Sequence, residues 1–324
     1  MNYFVTGITG FAAPHLAKLL LSKGHTVTAL VRCSNGREND LLDILSPDEI
    51  NSIKFVYGDL SDYCSIEDII KSEKFDGVFH MAAQSHVMKS FEQPILTHET
   101  NVMGSINLVT CVEKYQDNCK FQFCSSSEVY GDICKDTGIL QEDMIMKPVN
   151  PYAVSKAAFD LYMQERINNG FIDGIITRAF SHTGPRRGFN FSISSDAFQI
   201  AKMMLGKQEP TLLIGNLKTK RVVMDVYDCV NAYYLLMINP NTSGVYNVCG
   251  EGVQEMQHFT DLLIKHSGRT DIVQKIHKPF YRDIDIQVQI GDVSRLKAET
   301  NWQQTVDIDT TMKNLLDYWV KKLG

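Results

Sequence analysis

No apolar run in this chain approaches the ~20 residues that a helix needs to cross a bilayer, which argues against a membrane-spanning protein. CxxC pairs are absent too. The eight cysteines (Cys33, Cys64, Cys111, Cys119, Cys124, Cys134, Cys229 and Cys249) are scattered, several inside expected strands and helices, as free buried thiols are. A reducing cytoplasm suits that pattern. Positive charge is not in surplus: the net charge of -6 argues against nucleic acid or an anionic membrane as partner. Met1 to Thr6 reads as a short apolar strand, which leaves no room for a signal peptide. Neither repeats, low-complexity tracts nor a long linker interrupt the 324 residues.

What is present is a core-forming composition, 44% hydrophobic, long enough for one large α/β domain and a smaller one. The first strand runs into Gly7-Ile8-Thr9-Gly10-Phe11-Ala12-Ala13 and then an amphipathic helix, His15 to Ser22. Strand, glycine turn and helix in that order form a dinucleotide fingerprint. Its glycines admit a pyrophosphate to the backbone, and the helix N-terminus offers unpaired N–H groups. Ala13 stands for the third glycine, and Pro14 falls in the first helical turn, where its missing N–H matters little. The second strand, His25 to Val31, ends in Arg32-Cys33-Ser34-Asn35, with Arg37 behind, where an NAD enzyme would carry an acid. A cation and small donors there favour NADP; Arg32 as a solvated loop charge is the alternative. Asp59, followed by Leu60, ends the next strand and suits an adenine amino group. Gly77 to His80 leads into Met81-Ala82-Ala83-Gln84-Ser85-His86, small residues for a ribose. His80 and His86 read as packing and hydrogen-bonding residues; neither has a partner at a metal-ligand spacing, so no metal is expected.

Cys124-Ser125-Ser126-Ser127-Glu128-Val129-Tyr130-Gly131 follows an apolar strand, and Tyr152-Ala153-Val154-Ser155-Lys156 lies on an expected helix, Pro151 to Ile167. Tyr152 and Lys156, four apart, share a helix face. A phenol with a pKa near ~10 is a poor base at neutral pH, and a neighbouring ammonium lowers that pKa. Ser126 is positioned to bond the substrate oxygen that Tyr152 deprotonates. The constellation suits chemistry at a carbinol. Taken alone, YxxxK also describes a surface Tyr and Lys on an amphipathic helix.

Strands and helices alternate to about Arg178, which predicts a doubly wound, Rossmann-type parallel sheet. The pattern then breaks: Phe180 to Phe191 reads as a loop. Helices are expected at Ser195 to Leu205 and Val226 to Met237, with strands near Thr211 to Ile214 and Val245 to Val248. The expected organisation is α/β, with residues 1–178 and returning segments about 226–249 binding NADP. A smaller C-terminal α/β lobe, 179–225 and 250–324, would bind substrate.

On the glycine turn, Asp59, the Ser126 to Gly131 run and Tyr152/Lys156, the chain resembles the extended short-chain dehydrogenase/reductase superfamily over essentially its whole length. Within it the chain is most similar to GDP-mannose 4,6-dehydratases and the related GDP-heptose 4,6-dehydratases. The likeness rests on Val5 to Gly10, Val31 to Ser34, Gly184-Pro185-Arg186-Arg187-Gly188 and Gly215 to Arg221. The resemblance implies a GDP-linked sugar substrate, bound NADP and a homodimer or homotetramer. It implies Tyr152, Lys156 and Ser126 for oxidation at carbon 4, and Glu128 for moving a proton from carbon 5 to the departing 6-hydroxyl. It further implies cofactor contacts from Gly7, Thr9, Gly10, Phe11, Ala12, Arg32, Asp59, Leu60, Met81, Ala82, Ala83, Ser85, His182 and Arg187, besides Tyr152 and Lys156. Substrate contacts are implied for Ser85, Ser127, Asn190, Gly215, Lys220, Arg221 and Arg282.

Some residues depart from that pattern. Ser181 stands where such enzymes usually carry Asn, Val222-Val223 where they carry an acidic-aromatic pair, and Ser126 where many carry Thr. Lys207-Gln208-Glu209-Pro210 and Gly215 to Leu217 look at least as much like GDP-4-keto-6-deoxymannose reductases, which share the superfamily core and can also keep a Glu beside the serine. An NADPH-dependent reductase is therefore the alternative, with a sugar-nucleotide 4-epimerase behind it. A non-catalytic NADP-binding regulator on the same fold would not need the intact Ser126, Tyr152 and Lys156.

Overall fold

A computed structural model describes residues 1–32, 37–281 and 285–324. Cys33, Ser34, Asn35 and Arg282 lie outside the described residues, and the side chain of Arg37 is not described.

Seven strands build one parallel sheet: β1 (Asn2–Thr6), β2 (Thr26–Val31), β3 (Ile53–Tyr57), β4 (Gly77–His80), β5 (Lys120–Cys124), β6 (Gly174–Ala179) and β10 (Gly244–Val248). Their order is β10-β6-β5-β4-β1-β2-β3, and every pairing is parallel. Helices cover both faces, so the inner strands are near-continuous apolar runs: Tyr3, Phe4, Val5, Val78, Phe79, Ile175 and Ile176 are all buried. Strand order reverses beside β1, between β2 and β4, and there the carboxyl ends open a crevice. This doubly wound sheet was legible in the alternating pattern of the sequence.

Past β6 the chain leaves the sheet. β7 (Ser181–Thr183) lies inside the stretch expected to be loop; three residues are too short for a periodic signal, and pairing with β9 (Lys220–Asp225) makes it a strand. β11 (Val253–Glu255) and β13 (Val288–Gln289) also pair with β9. β8 (Thr211–Ile214) pairs with β12 (Val273–Ile276). The helices Ser192–Met204, Met256–Ser267 and Ile308–Leu323 pack together on a separate apolar cluster containing Ile200, Phe259, Leu315 and Trp319. No helix among the described residues is long and apolar enough to cross a membrane.

Two details position the crevice. Gly7 has φ +80°, and a Cβ there would lie 2.8 Å from the Ala82 nitrogen, so only glycine lets the first turn approach the end of β4. Thr6 locks the same junction: its Oγ1 accepts from the N–H groups of Met81 (3.2 Å) and Ala82 (3.1 Å). The Ser105 hydroxyl donates to the Asn101 carbonyl, so it accepts from His80 Nε2–H at 2.7 Å. That leaves Nδ1 bare to accept from the Thr6 hydroxyl at 2.8 Å. Burial holds His80 neutral, with its pKa at about 3. His80 is therefore a clamp.

Candidate active site

One large cleft runs from the carboxyl ends of β1 to β6 across to the small lobe. Gly7, Thr9, Gly10, Phe11, Ala12, Arg32, Asp59, Leu60, Met81, Ala82, Ala83, Ser85, His182 and Arg187 line one part of it. A Cβ on Gly10 would fall 2.9 Å from the Gly7 carbonyl oxygen, so the turn keeps an open cradle, and no side chain caps the helix Ala13–Ser22 behind it. An open glycine turn beneath an uncapped helix N-terminus fits a dinucleotide pyrophosphate. Arg32 is exposed at the end of β2 and faces the cleft.

The reactive side chains meet in the middle. β5 delivers Ser126 to a tight turn, Ser127–Tyr130, where the Ser126 hydroxyl accepts from the Glu128 N–H at 3.2 Å. Gly131 closes the turn at φ +64°, and a Cβ there would sit 1.9 Å from the Lys147 carbonyl oxygen, so no other residue fits. Opposite, the helix Pro151–Asn168 carries Tyr152 and Lys156. Asn150 joins the two elements. Its Oδ1 accepts from the Ala153 N–H at 2.8 Å, capping the helix, and its Nδ2 donates to Glu128 Oε2 at 2.7 Å.

The electrostatics differ from the sequence expectation in one respect. Burial pushes the Tyr152 phenol up to about 12; a hydrogen bond with Ser126 and the charge of Arg187 pull it down, while Glu128 pushes it up. Lys156 was expected to lower it. Instead its Nζ donates to the Cys124 carbonyl at 2.7 Å and lies 4.7 Å above the Phe123 ring. Burial also brings the Lys156 ammonium down to about 8. Arg187 also bears on the phenol as a cation; its guanidinium lies 4.8 Å over Phe11 and 3.6 Å over Phe191. His182 stacks on Phe11 at 5.7 Å and faces the Phe180 carbonyl through Nδ1 at 2.9 Å, a contact that fixes Nε2 as the bare acceptor. Arg186, at φ +73°, does not line the cleft. It donates to the carbonyls of Thr9 (2.9 Å), Gly10 (2.8 Å) and Asp40, bracing the glycine turn from outside.

Ser127, Asn190, Gly215 and Arg221 line the cleft, whereas Lys220 does not: strand alternation turns it outward to solvent as Arg221 turns in. Arg221 is fastened to the carbonyls of Lys220 (2.9 Å) and Ile286 (2.6 Å) and stands 3.6 Å from Asp285. Missed altogether was the network beneath Ser126. Ser125 donates to Asp160 at 2.6 Å, Arg178 grips Asp160 through two bonds (3.0 and 2.9 Å), and its Nη1 donates to the Tyr130 hydroxyl at 2.9 Å. Arg178 and Asp160 are 2% and 0% exposed. The one available signal was an Arg closing the apolar strand Ile175 to Ala179. Of the buried polar atoms without a partner among the described residues, Thr183 Oγ1 and Gln289 Nε2 both belong to cleft residues.

A parallel sheet ordered 3-2-1-4-5-6, a glycine cradle and a Ser–Tyr–Lys group at its carboxyl edge define an extended short-chain dehydrogenase/reductase. The chain belongs to the GDP-mannose 4,6 dehydratase family, whose sequence profile matches residues 4–315. It is 31% identical over 322 residues to a GDP-6-deoxy-D-mannose reductase of Pseudomonas aeruginosa, spanning 99% of this chain and 97% of the relative. It is also 31% identical over 326 residues to GDP-mannose 4,6 dehydratase 1 of Arabidopsis thaliana, spanning 97% of this chain and 88% of that one. Among solved structures, RMD from Pseudomonas aeruginosa complexed with NADPH superposes with a TM-score of 0.83 at 28% identity, covering 99% of both chains.

Proposed function

We propose that this protein is an NADP-dependent GDP-hexose 4,6-dehydratase, converting GDP-mannose or a similar GDP-sugar to its 4-keto-6-deoxy product. The observation that carries the reading is Glu128, held by Asn150 at 2.7 Å beside Ser126 and Tyr152. Oxidation at a carbinol needs only Ser126, Tyr152 and Lys156. A carboxylate fixed in the same cleft is what elimination adds. Residues 1–178 with 226–249 hold the cofactor in this reading, and 179–225 with 250–324 hold the sugar nucleotide.

Bound NADP supplies the hydride acceptor and donor. Tyr152 takes the proton of the 4-hydroxyl, while Ser126 hydrogen-bonds the same oxygen and Arg187 favours the phenolate. The 4-ketone acidifies carbon 5; Glu128 removes that proton and delivers it to the 6-hydroxyl, which leaves as water. Return of the hydride to carbon 6 would then complete the 6-deoxy group, carbon 5 regaining a proton from solvent to balance the one Tyr152 took. Binding of the nucleoside diphosphate holds the sugar in register, and such positioning is worth ~7–11 kcal/mol. Arg32 would meet the 2′-phosphate of NADP, and the Arg221 end of the cleft would meet the diphosphate. A second copy of the chain would cover the apolar groove lined by Pro94, Ile95, Val102, Met103 and Ala158, where Ile95 is 74% exposed. Light scattering that returns a monomer would remove that part.

A second reading, the NADPH-dependent 4-keto-6-deoxy reductase, has its own support. The Pseudomonas reductase matches end to end, and a phenol at about 12 rests as a proton donor, as ketone reduction requires. Incubating the protein with GDP-mannose, without added NADPH, separates the two. A 4-keto-6-deoxy product upholds the dehydratase; its absence, with NADPH consumed when the 4-keto sugar is supplied, establishes the reductase.

A further inference from the structure

Gln289 is a polar residue with no role in what precedes. It is 3% exposed, its Nε2 has no hydrogen-bond partner among the described residues, and it lines the cleft. A buried N–H without an acceptor is unfavourable, and proteins keep few of them. Its place in the sheet says what it awaits. β13 runs parallel to β9 with Gln289 opposite Arg221; β7 puts Ser181 opposite Val223 and Thr183 opposite Asp225. Positions 221, 223 and 225 share one face of β9, so Gln289, Ser181 and Thr183 share that face with them. The residue opposite Gln289 is thus a cation, Arg221, fastened to backbone carbonyls and near Asp285. An orphan neutral donor beside an anchored cation, in an otherwise enclosed face of a cleft, fits an oxygen that is anionic and only accepts.

We infer that Gln289 is a substrate-binding residue whose side-chain amide donates to a phosphate oxygen of the nucleoside diphosphate, next to Arg221. The inference rests on the reading that this cleft takes a nucleoside-diphosphate sugar. It does not depend on which base or sugar is attached. Glutamine places its amide one methylene further from the backbone than asparagine, and here it reaches in from β13, whereas β7 presents only the short Ser181 and Thr183.

The test is calorimetric titration of the NADP-loaded full chain with GDP, UDP and GDP-mannose, for wild type, Gln289→Leu and Gln289→Glu. Leucine keeps the volume and removes the donor. A hydrogen bond to a charged acceptor is worth about ten-fold in affinity or more, so Gln289→Leu weakens GDP and GDP-mannose alike by that factor. NADP affinity stays unchanged, and thermal stability is equal or higher because a buried orphan is gone. Gln289→Glu sets a carboxylate against the phosphate and weakens GDP further than leucine does. GDP affinity unchanged in both variants overturns the inference, and so does a loss confined to GDP-mannose, which would put the amide on the sugar. A lowered melting temperature with unaltered GDP affinity would make Gln289 a packing residue only and overturn it as well. If wild type ignores GDP but binds UDP, and Gln289→Leu weakens UDP, the GDP reading falls and the assignment of Gln289 stands.

Discussion

Asn150→Asp separates the structural duty of Asn150 from its chemical one. Aspartate and asparagine are near equals as helix N-caps, and negative charge at a helix N-terminus is favoured by about 0.3–1 kcal/mol. The bond from Ala153 N–H, 2.8 Å in the wild type, therefore survives the change. The other bond does not. Where Nδ2 donated to Glu128 Oε2 at 2.7 Å, the variant sets oxygen against oxygen. Two unit charges ~4 Å apart at an effective dielectric of ~20 repel by about 4 kcal/mol, or about 3 pH units. The two carboxyls would then share a proton through neutral pH.

The expected outcome at neutral pH, where the repulsion acts in the folded state alone, is a melting temperature lower by about 8–16 °C, since each ~1 kcal/mol moves a domain by about 2–4 °C. At about pH 4, where one carboxyl is protonated, it returns to within about 4 °C of wild type. The acidic limb of the dehydration pH profile moves up by at least about one unit, and below it activity falls about ten-fold per unit. Asn150→Ser keeps a capping oxygen but also loses the amide donor to Glu128; without an added charge it moves that limb up by less than Asn150→Asp does. Both profiles are read as formation of 6-deoxy product under saturating substrate. A profile for Asn150→Asp that superimposes on wild type would refute the reasoning, because Glu128 would then act independently of the side chain that holds it.

Three further outcomes follow from the same geometry. Glu128→Gln keeps oxidation at carbon 4 but loses the proton transfer, so 6-deoxy product falls by about 100- to 10,000-fold while reduced cofactor builds up on the enzyme; near-normal dehydration would take Glu128 out of the mechanism. Arg32→Asp reverses the preference of NADP over NAD, because a carboxylate accepts from a 2′-hydroxyl and repels a 2′-phosphate; calorimetry that finds NADP still preferred contradicts it. Lys156 is depressed from 10.5 to about 8 on folding, so between those values the unfolded chain binds more protons and stability rises with pH. Across that window wild type gains up to about 3 kcal/mol relative to Lys156→Met, and denaturant titrations showing no such gain would place the ammonium in water.

Much of the fold was legible because parallel strands buried on both faces are continuous apolar runs, and a glycine turn between strand and helix has few other uses. Period-two alternation puts Lys220 and Arg221 on opposite faces of β9, but Val222, Val223 and Met224 are apolar and buried on both faces, so it does not say which of the two turns in. Asn150 was visible as well, an N-cap residue directly before Pro151 at the head of the Tyr152 helix. What lies between distant segments was not. Nothing local says that Arg178 reaches Asp160 and Tyr130, that His80 stands between Thr6 and Ser105, or that Lys156 turns to a backbone carbonyl rather than to Tyr152. Those contacts depend on which strand neighbours which. β7 and β13 are strands only because β9 is there to pair with them, so the row Gln289, Ser181 and Thr183 has no counterpart in local sequence.

The same dependence bears on the direction of the chemistry. Ser126, Tyr152 and Lys156 are held by the sheet: Ser126 by β5 and the Ser125–Asp160–Arg178 network, Lys156 by the Cys124 carbonyl. Breaking a buried ion pair such as Asp160–Arg178 costs about 3–5 kcal/mol, so this frame resists substitution whatever reaction it serves. A phenol at about 12 rests protonated and gives its proton to a ketone oxygen; pulled down by added positive charge beside Arg187, it takes one from a carbinol. The frame thus runs oxidation and reduction alike. Glu128 is different. Its carboxylate is tied to Asn150 alone among the described side chains that bond it, and in the proposed elimination it is the group that moves the carbon 5 proton. In the proposed mechanism dehydration needs this carboxylate and ketone reduction does not, so substitutions at the pair Glu128–Asn150, rather than at Tyr152 or Lys156, are the ones that tell the two readings apart.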